Sequence, residues 1–297
     1  MLSVLGDVYS ACYGFVNAML IRLAYPAATC AVYLALELLV PHTRNSPRSY
    51  LRGAYFVVAA IVINTLILTV LQNVTGVSQV SPGISLERQS SSLIMLDLAP
   101  FTTSENPVVR AGGWLAATLG VAIVADFFYY WMHRAQHSIP WLWRFHRVHH
   151  SVTEMSAINS YHHVAEDLFQ YVAVTLPVVV LLNVASGPIP WLLIVVLRTQ
   201  SYFIHSSANI NIGPLRYLIS DNRVHRIHHS VEPRHVNHNF ATTTPLWDVL
   251  FGTAYFPKPG EWPQVGLNEV REPKTLKEYL LLPFQGSARN AGHPLKI

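Results

Sequence analysis

Histidine recurs in this chain at spacings that place several imidazoles on one face of a helix. His133 and His137 are four residues apart. His146 is followed by His149 and His150, and His225 by His228 and His229, with a solitary His205 between the second and third clusters. Residues three and four apart share a helical face, so each box points two or three ring nitrogens one way. One box alone does not hold a metal ion; three boxes converging hold one or two. Interfacial amphipathic helices would explain a single pair but not three boxes and a further histidine. Clustered imidazoles without a cation repel when protonated and cost desolvation when buried.

Imidazole ligates zinc, copper, iron and nickel. Nine imidazoles exceed the four ligands of one zinc, and two ions about 3.5–4 Å apart suit the number better. Nearly all-nitrogen ligation makes a non-haem di-iron centre the leading reading, and ligand type leaves a dizinc centre open. The two cysteines, Cys12 and Cys30, lie in the apolar N-terminal region. That excludes a cysteine-ligated iron–sulfur cluster or a thiol zinc site, and both are expected to be packing residues.

The elements that carry these residues are apolar. Of 297 residues, 51% are hydrophobic and only 12% charged, with mean hydropathy +0.30. A soluble domain carries about 25% charged residues, so the composition indicates a bilayer environment. The net charge of +4 comes without a stacking aromatic and basic groove, so no nucleic-acid partner is expected. The fold class expected is all-α: a polytopic membrane protein of about four transmembrane helices with a cytosolic, histidine-rich helical cap. Spans are expected at about 25–40 (interrupted by Glu37), 53–71 and 113–132, with a hairpin over 168–204 broken at 183–190. About 20 apolar residues are needed to cross. No basic region precedes the first apolar stretch, so that span is expected to be retained rather than cleaved. The Ser-rich stretch 72–112 is expected to be an interfacial helix or a loop. A three-part division follows: membrane spans and connecting loop over 1–112, the histidine-box domain over 113–256, and a cytosolic tail over 257–297 with one helix near 276–282.

Arginine and lysine set the orientation. Arg44, Arg48 and Arg52 follow the first span, Arg134, Arg144 and Arg147 the third. Arg216, Arg223, Arg226, Arg234 and all four lysines follow the hairpin. One alternating topology puts all of them, and every histidine box, on the cytoplasmic face.

Ligating histidines usually donate their second ring N–H to a carboxylate or carbonyl. The candidates are Asp126, Glu154, Glu166, Asp167 and Asp248. Asp126 stands out: it lies two helical turns before His133, inside an apolar span, where an ionisable group is functional by default. Glu37 has a weaker claim. Of His162 and His163, one is expected at or beside the metals and the other at the surface; His163 is taken as a tenth candidate ligand. His235 and His238 face substrate or do nothing, and His42 and His293 are discounted.

At these residues the chain resembles the sterol desaturase and fatty acid hydroxylase superfamily. The matching text runs from Asp126-Phe-Phe-Tyr-Tyr-Trp-Met-His-Arg-Ala-Gln-His137 through Trp143-Arg-Phe-His-Arg-Val-His-His-Ser151 and His205-Ser206. It continues with Gly213-Pro-Leu-Arg-Tyr217, His225-Arg-Ile-His-His-Ser230, Asn239-Phe240, Trp247-Asp248 and Leu250-Phe-Gly-Thr253. It covers about residues 115 to 255. The resemblance implies a membrane domain of four helices and a cytosolic cap around a histidine-ligated dimetal site. It implies His133, His137, His146, His149, His150, His205, His225, His228 and His229 as metal ligands and catalytic residues. Asp126, Glu166, Asp248 and Asn239 are the residues expected to support them. Two departures bear on substrate more than on metal: Val164 stands where relatives often have proline after the histidine, and Ser207 where many have asparagine.

The chemistry implied is O2-dependent hydroxylation or desaturation of a lipid C–H bond, with sterol, fatty acyl and related lipids all compatible. There is no Gly-x-Gly-x-x-Gly fingerprint and no His-Pro-Gly-Gly of a fused cytochrome b5 domain. Electrons are therefore expected from a separate cytochrome b5, ferredoxin or reductase. Arg216, Arg223, Arg226 and Arg234 are a candidate docking patch for it, competing with the positive-inside rule. Two alternatives differ in class. A dizinc lipid hydrolase would want carboxylates among its ligands and a general base beside them. A non-catalytic lipid-binding relative would not need complete boxes.

Overall fold

The computed structural model describes residues 2–75, 103–182 and 189–286, with side chains described for fewer of these near some helix ends. Among them the chain is helical, without strands. Helices run over α1 (Leu2–Leu39), α2 (Pro47–Thr75), α3 (Pro107–Ser138), α4 (Pro140–His150), α5 (Glu166–Gln170), α6 (Leu176–Leu181), α7 (Ile189–His205), α8 (Asn222–His228), α9 (Leu246–Leu250) and α10 (Leu276–Leu281). A π-helical turn, Tyr171–Thr175, joins α5 to α6.

Two of the described helices are long and apolar enough to cross a membrane, Pro47–Ile67 and Pro107–Ser138. Pro26–Leu39 and Leu192–His205 are shorter apolar stretches. α1 begins far earlier than the apolar stretch from 25 predicts, running unbroken through Pro26. The two arms of the expected hairpin are α5–α6 and α7; its break at 183–188 and most of the stretch 72–112 lie outside the described residues.

α3 organises the fold, packing on α4, on α7 and on the α5–α6 arm. Its contact face is built of small residues: Ala117, Val121, Ala122 and Ala125 meet Val178, Leu182 and Leu193. Small side chains let helix backbones approach closely. α3 starts where the Asn106 side chain accepts the N–H groups of Val108 and Val109, ahead of Pro107 at its first turn. It stops at Ile139, extended at φ −100° and ψ 116°. Pro140 disfavours a helical conformation in the residue before it and then opens α4, as a first-turn proline does. One extended residue thus turns the second histidine box back on the first.

The C-terminal segment packs onto this frame. Phe56 of α2 stacks on Tyr279 of α10, with ring centroids 4.8 Å apart, and Tyr161 joins them at 4.7 Å from Phe56 and 5.9 Å from Tyr279. Glu272 accepts from Arg52 at 2.9 Å, Thr153 Oγ1 at 3.0 Å and Asn159 Nδ2 at 3.2 Å. The close approach of α2 to the 155–160 loop needs Gly53, where a Cβ would sit 2.6 Å from both the Asn159 Cα and the Ile158 carbonyl oxygen.

Candidate metal centre

The four histidine-bearing stretches converge. His133 and His137 come from the end of α3, His146, His149 and His150 from α4, His205 from the last turn of α7, and His225 and His228 from α8, with His229 capping it. The nine gather into two adjacent groups. One is His133, His137, His146, His150 and His228; the other is His149, His205, His225 and His229. Within each group every residue offers one nitrogen within 4.8 Å of all the others. All are buried except His137, which is half-buried. The groups touch where the His150 and His229 rings stack, 4.3 Å between centroids.

Backbone carbonyls fix the tautomers. His133 Nδ1 donates to the Phe240 carbonyl at 2.6 Å and His228 Nδ1 to the His238 carbonyl at 2.8 Å. His149 Nδ1 donates to Tyr161 at 3.2 Å and His205 Nδ1 to Ser201 at 2.7 Å. A carbonyl only accepts, so each neutral ring carries its proton on Nδ1 and leaves a lone pair on Nε2. Yet the Nε2 atoms of His149 and His205 face each other at 3.1 Å. The same contact recurs between His205 and His225 at 3.1 Å, His133 and His146 at 2.9 Å, and His150 and His228 at 3.1 Å. In the His149–His205 pair, where carbonyls hold both protons on Nδ1, two bare lone pairs at that distance repel unless a cation lies between them. Two nitrogens each about 2.1 Å from one ion, at about 90–109° to each other, lie roughly 3.0–3.4 Å apart. The residues therefore fit two metal ions, one to each group.

Burial, together with the neighbouring imidazoles, pushes His146, His149, His150, His225, His228 and His229 well below the ordinary value of 6.5. Because the folded values lie below the unfolded one, the unfolded chain binds more protons as pH falls through 6.5, and stability falls with it. The metals also compete with those protons. Acidifying the metal-free protein from about pH 7.5 to about pH 5.5 should lower its thermal midpoint steeply; an unchanged midpoint would show that the rings are not held neutral.

The supporting residues divide. Glu166 meets the centre directly, accepting from His146 Nδ1 at 3.1 Å and Gln136 Nε2 at 2.9 Å. Asp248 acts one bond removed: it accepts the N–H groups of Phe240 and Ala241 at 2.8 and 2.9 Å, and so holds the Phe240 carbonyl that orients His133. Asn239 sits between the two carbonyls that hold His228 and His133. Its backbone is left-handed, φ 59°, and its side chain is tied to Val224 and Tyr255. Asp126 touches no histidine. It accepts the N–H groups of Thr242, Thr243 and Thr244 at 3.0–3.1 Å, and the Thr242 hydroxyl at 3.1 Å. Glu154 and Asp167 are spent elsewhere, on Ser46 and Asn64.

His163 is not brought to either group: its Nε2 donates to the Leu280 carbonyl at 3.3 Å. The neighbour His162 turns inward instead, stacked on His149 with 3.7 Å between centroids and close to His146 and Glu166. His235 is buried against Ser230 and Glu261, and His42 stacks on Trp262. Arg226 is buried over the Trp262 ring at 4.4 Å, so the four arginines make no common exposed patch; Arg216 pairs with Asp221 and Arg234 with Glu232 and Glu261. Sequence reasoning missed Gln136, on the same helix as the first box and one residue before His137. It also ranked Glu37 low. That buried carboxylate accepts the N–H groups of Ala157 and Ser207 at 2.9 Å each, which ties α1 to the residues just after His205.

The family model for fatty acid hydroxylase matches residues 118–253, the stretch that contains every box. The chain is 30% identical over 186 residues to a fatty acid hydroxylase of Lecanicillium sp, covering 55% of this chain and 50% of that protein. It is 30% identical over 170 residues to an ornithine lipid hydroxylase of Rhizobium tropici, covering 56% and 50%. To an alkylglycerol monooxygenase of Xenopus tropicalis it is 28% identical over 152 residues, covering 47% and 30%. The chain thus spans about half the length of the first two relatives and less of the third. No solved structure matches significantly. Residues 118–253 are therefore similar to a fatty acid hydroxylase domain, in keeping with the superfamily that the histidine boxes resemble.

Proposed function

We propose that this chain is a membrane-bound lipid hydroxylase that uses O2 and a pair of iron ions. The observation that carries the proposal is the gathering of nine histidines into two adjacent groups in which ring nitrogens approach one another at 2.9–3.2 Å. Two irons bound there would supply the activation of O2 that a C–H bond requires. The balance is a lipid C–H bond, O2, two electrons and two protons giving an alcohol and water. The electrons come from a separate donor, a cytochrome b5, ferredoxin or reductase. Hydroxylation is preferred to desaturation because the relatives described above carry the names of hydroxylases and a monooxygenase.

The chain's own residues hold and orient. The carbonyls of Phe240, His238, Tyr161 and Ser201 keep four rings in the tautomer that presents Nε2 inward. Glu166 does the same for His146 and is in turn held by Gln136. Burial of the rings keeps bulk water from competing for their nitrogens.

The membrane arrangement is part of the proposal: α1, α2 and α3 each cross once and the α5–α7 hairpin enters and returns, under a cytosolic cap of α4, α8 and the C-terminal segment. The division into 1–112, 113–256 and 257–297 is retained, and the arginine-rich loops support a cytoplasmic face for the boxes. The test is metal analysis of the detergent-purified protein, with Mössbauer spectra after anaerobic iron loading, followed by turnover under 18O2. About two coupled irons per chain and 18O in a lipid hydroxyl are expected. Zinc that iron cannot replace, with no O2 consumption, would put a lipid hydrolase in its place. Absence of stoichiometric metal would leave a lipid-binding protein.

A further inference from the structure

Residues 240–253 follow a path that the metal centre does not explain. The Phe240 carbonyl is at the level of His133. The chain then descends along α3: Thr242, Thr243 and Thr244 bond Asp126, and Trp247 Nε1 donates to the Ile123 carbonyl at 3.1 Å. It then climbs back. Phe251 packs on Tyr130 and Trp131, with centroids 5.2 and 4.9 Å away, and Thr253 Oγ1 lies 3.1 Å from the Tyr130 hydroxyl. Ile123 is ten residues before His133, about 15 Å along a helix, nearly half the roughly 30 Å hydrocarbon core.

We infer that residues 240–253 form a re-entrant clasp that enters the bilayer beside α3 and leaves on the side it entered, its outer face against lipid. The inference rests on the proposed reading of α3 as a membrane span.

Backbone chemistry is the first argument. Non-helical chain at membrane depth is tolerated only where its polar groups are satisfied by protein. Here the N–H groups of Phe240 and Ala241 go to the Asp248 carboxylate, and those of Thr242, Thr243 and Thr244 to Asp126. Leu246 N–H goes to Thr244 Oγ1, and those of Thr253 and Ala254 to the Asp248 carbonyl. The Thr242 and Thr243 carbonyls accept from Gln200 Nε2 and from the Ser220 N–H. Two buried carboxylates thus do for this segment what water does for a surface loop. That also accounts for an ionisable residue, Asp126, in the middle of α3.

The outward face is the second argument. The segment's only charged side chain is the buried Asp248. On α9, Leu246, Val249 and Leu250 are 47%, 57% and 64% exposed, and Leu218 and Ile219 extend the apolar surface next to Ser220. Exposed apolar side chains on a segment tied to α3 at Ile123 and Asp126 match hydrocarbon. A water-exposed loop with the same contacts would not need every one of these N–H groups answered from within.

Nitroxide accessibility in proteoliposomes tests this. With Cys12 and Cys30 replaced by serine and alanine, single cysteines are introduced as Leu250→Cys, Val249→Cys, Leu119→Cys on the exposed face of α3 and Lys258→Cys on the exposed surface. Labels at 249 and 250 should relax with O2 as the label at 119 does. They should collide with a charged chromium chelate at least about ten-fold less than the label at 258, because charge is strongly excluded from hydrocarbon. Labels at 249 and 250 that behave like 258, while 119 remains in lipid, would overturn the clasp and leave the span intact. A water-like label at 119 would overturn both.

Discussion

His205→Ala should cost the protein one of the two metal ions proposed for it and bring turnover down by more than the roughly 10–100-fold typical of losing an outer partner of a ligand. His205 is the pivot of the four-histidine group, with its Nε2 3.1 Å from both His149 Nε2 and His225 Nε2. Removing it leaves three histidines and no spare in that group. The five-histidine group does have a spare, so His150→Ala should keep both ions and lose less activity. Metal content per chain and turnover of the two variants, each checked for an unchanged elution profile in detergent, decide the matter. Equal losses would mean that the two groups do not act as separate binding sets.

Asp126→Ala should be the most destabilising single change outside the histidines. It strips the acceptor from three backbone N–H groups and a hydroxyl at once. Each buried donor left unanswered costs about 1–3 kcal/mol, against a total stability of about 5–15 kcal/mol for a typical domain. The thermal midpoint should drop sharply, and metal should be lost with it, since Thr242 to Thr244 continue directly from the Phe240 carbonyl that holds His133. Asp126→Asn keeps a carbonyl oxygen for the N–H groups of Thr242 and Thr243, both bonded to Oδ1, and should be milder. A midpoint for Asp126→Ala equal to that of the unaltered protein would show that the loop finds other acceptors.

The boxes were legible in the sequence because helical spacing fixes direction. His133 with His137, and His225 with His228 and His229, need only a helix to point together, and each forms on one or at the end of one. Pro140 was equally informative, since a proline both ends the reach of α3 and starts α4. Where no period exists, direction was illegible. His162 and His163 lie in a non-helical stretch, so nothing local says which ring turns inward, and His162 is the one that does. Spacing placed Asp126 on the His133 side of α3, but not the partner it meets there, because that partner comes from residues 242–244. Glu37 reads as a flaw in an apolar span until the N–H groups of Ala157 and Ser207 are seen to arrive at it. α9 is five residues long, too short for length or periodicity to mark it as anything but loop.

The order in which the centre is made follows from the spread of its histidines. At about 5–20 residues per second, the ribosome completes His133 and His137 roughly 5–20 s before it reaches His229. Throughout that interval the first box has no partners within the nascent chain beyond α4, and the four-histidine group does not exist. Any metal the proposed centre holds is therefore captured late, after α7 has packed on α3 and α8 on α7, and the last segments synthesised decide whether it is kept. On the proposed reading, a cell short of that metal would accumulate chains whose histidine-bearing helices are all made but whose opposed imidazoles have nothing to bind.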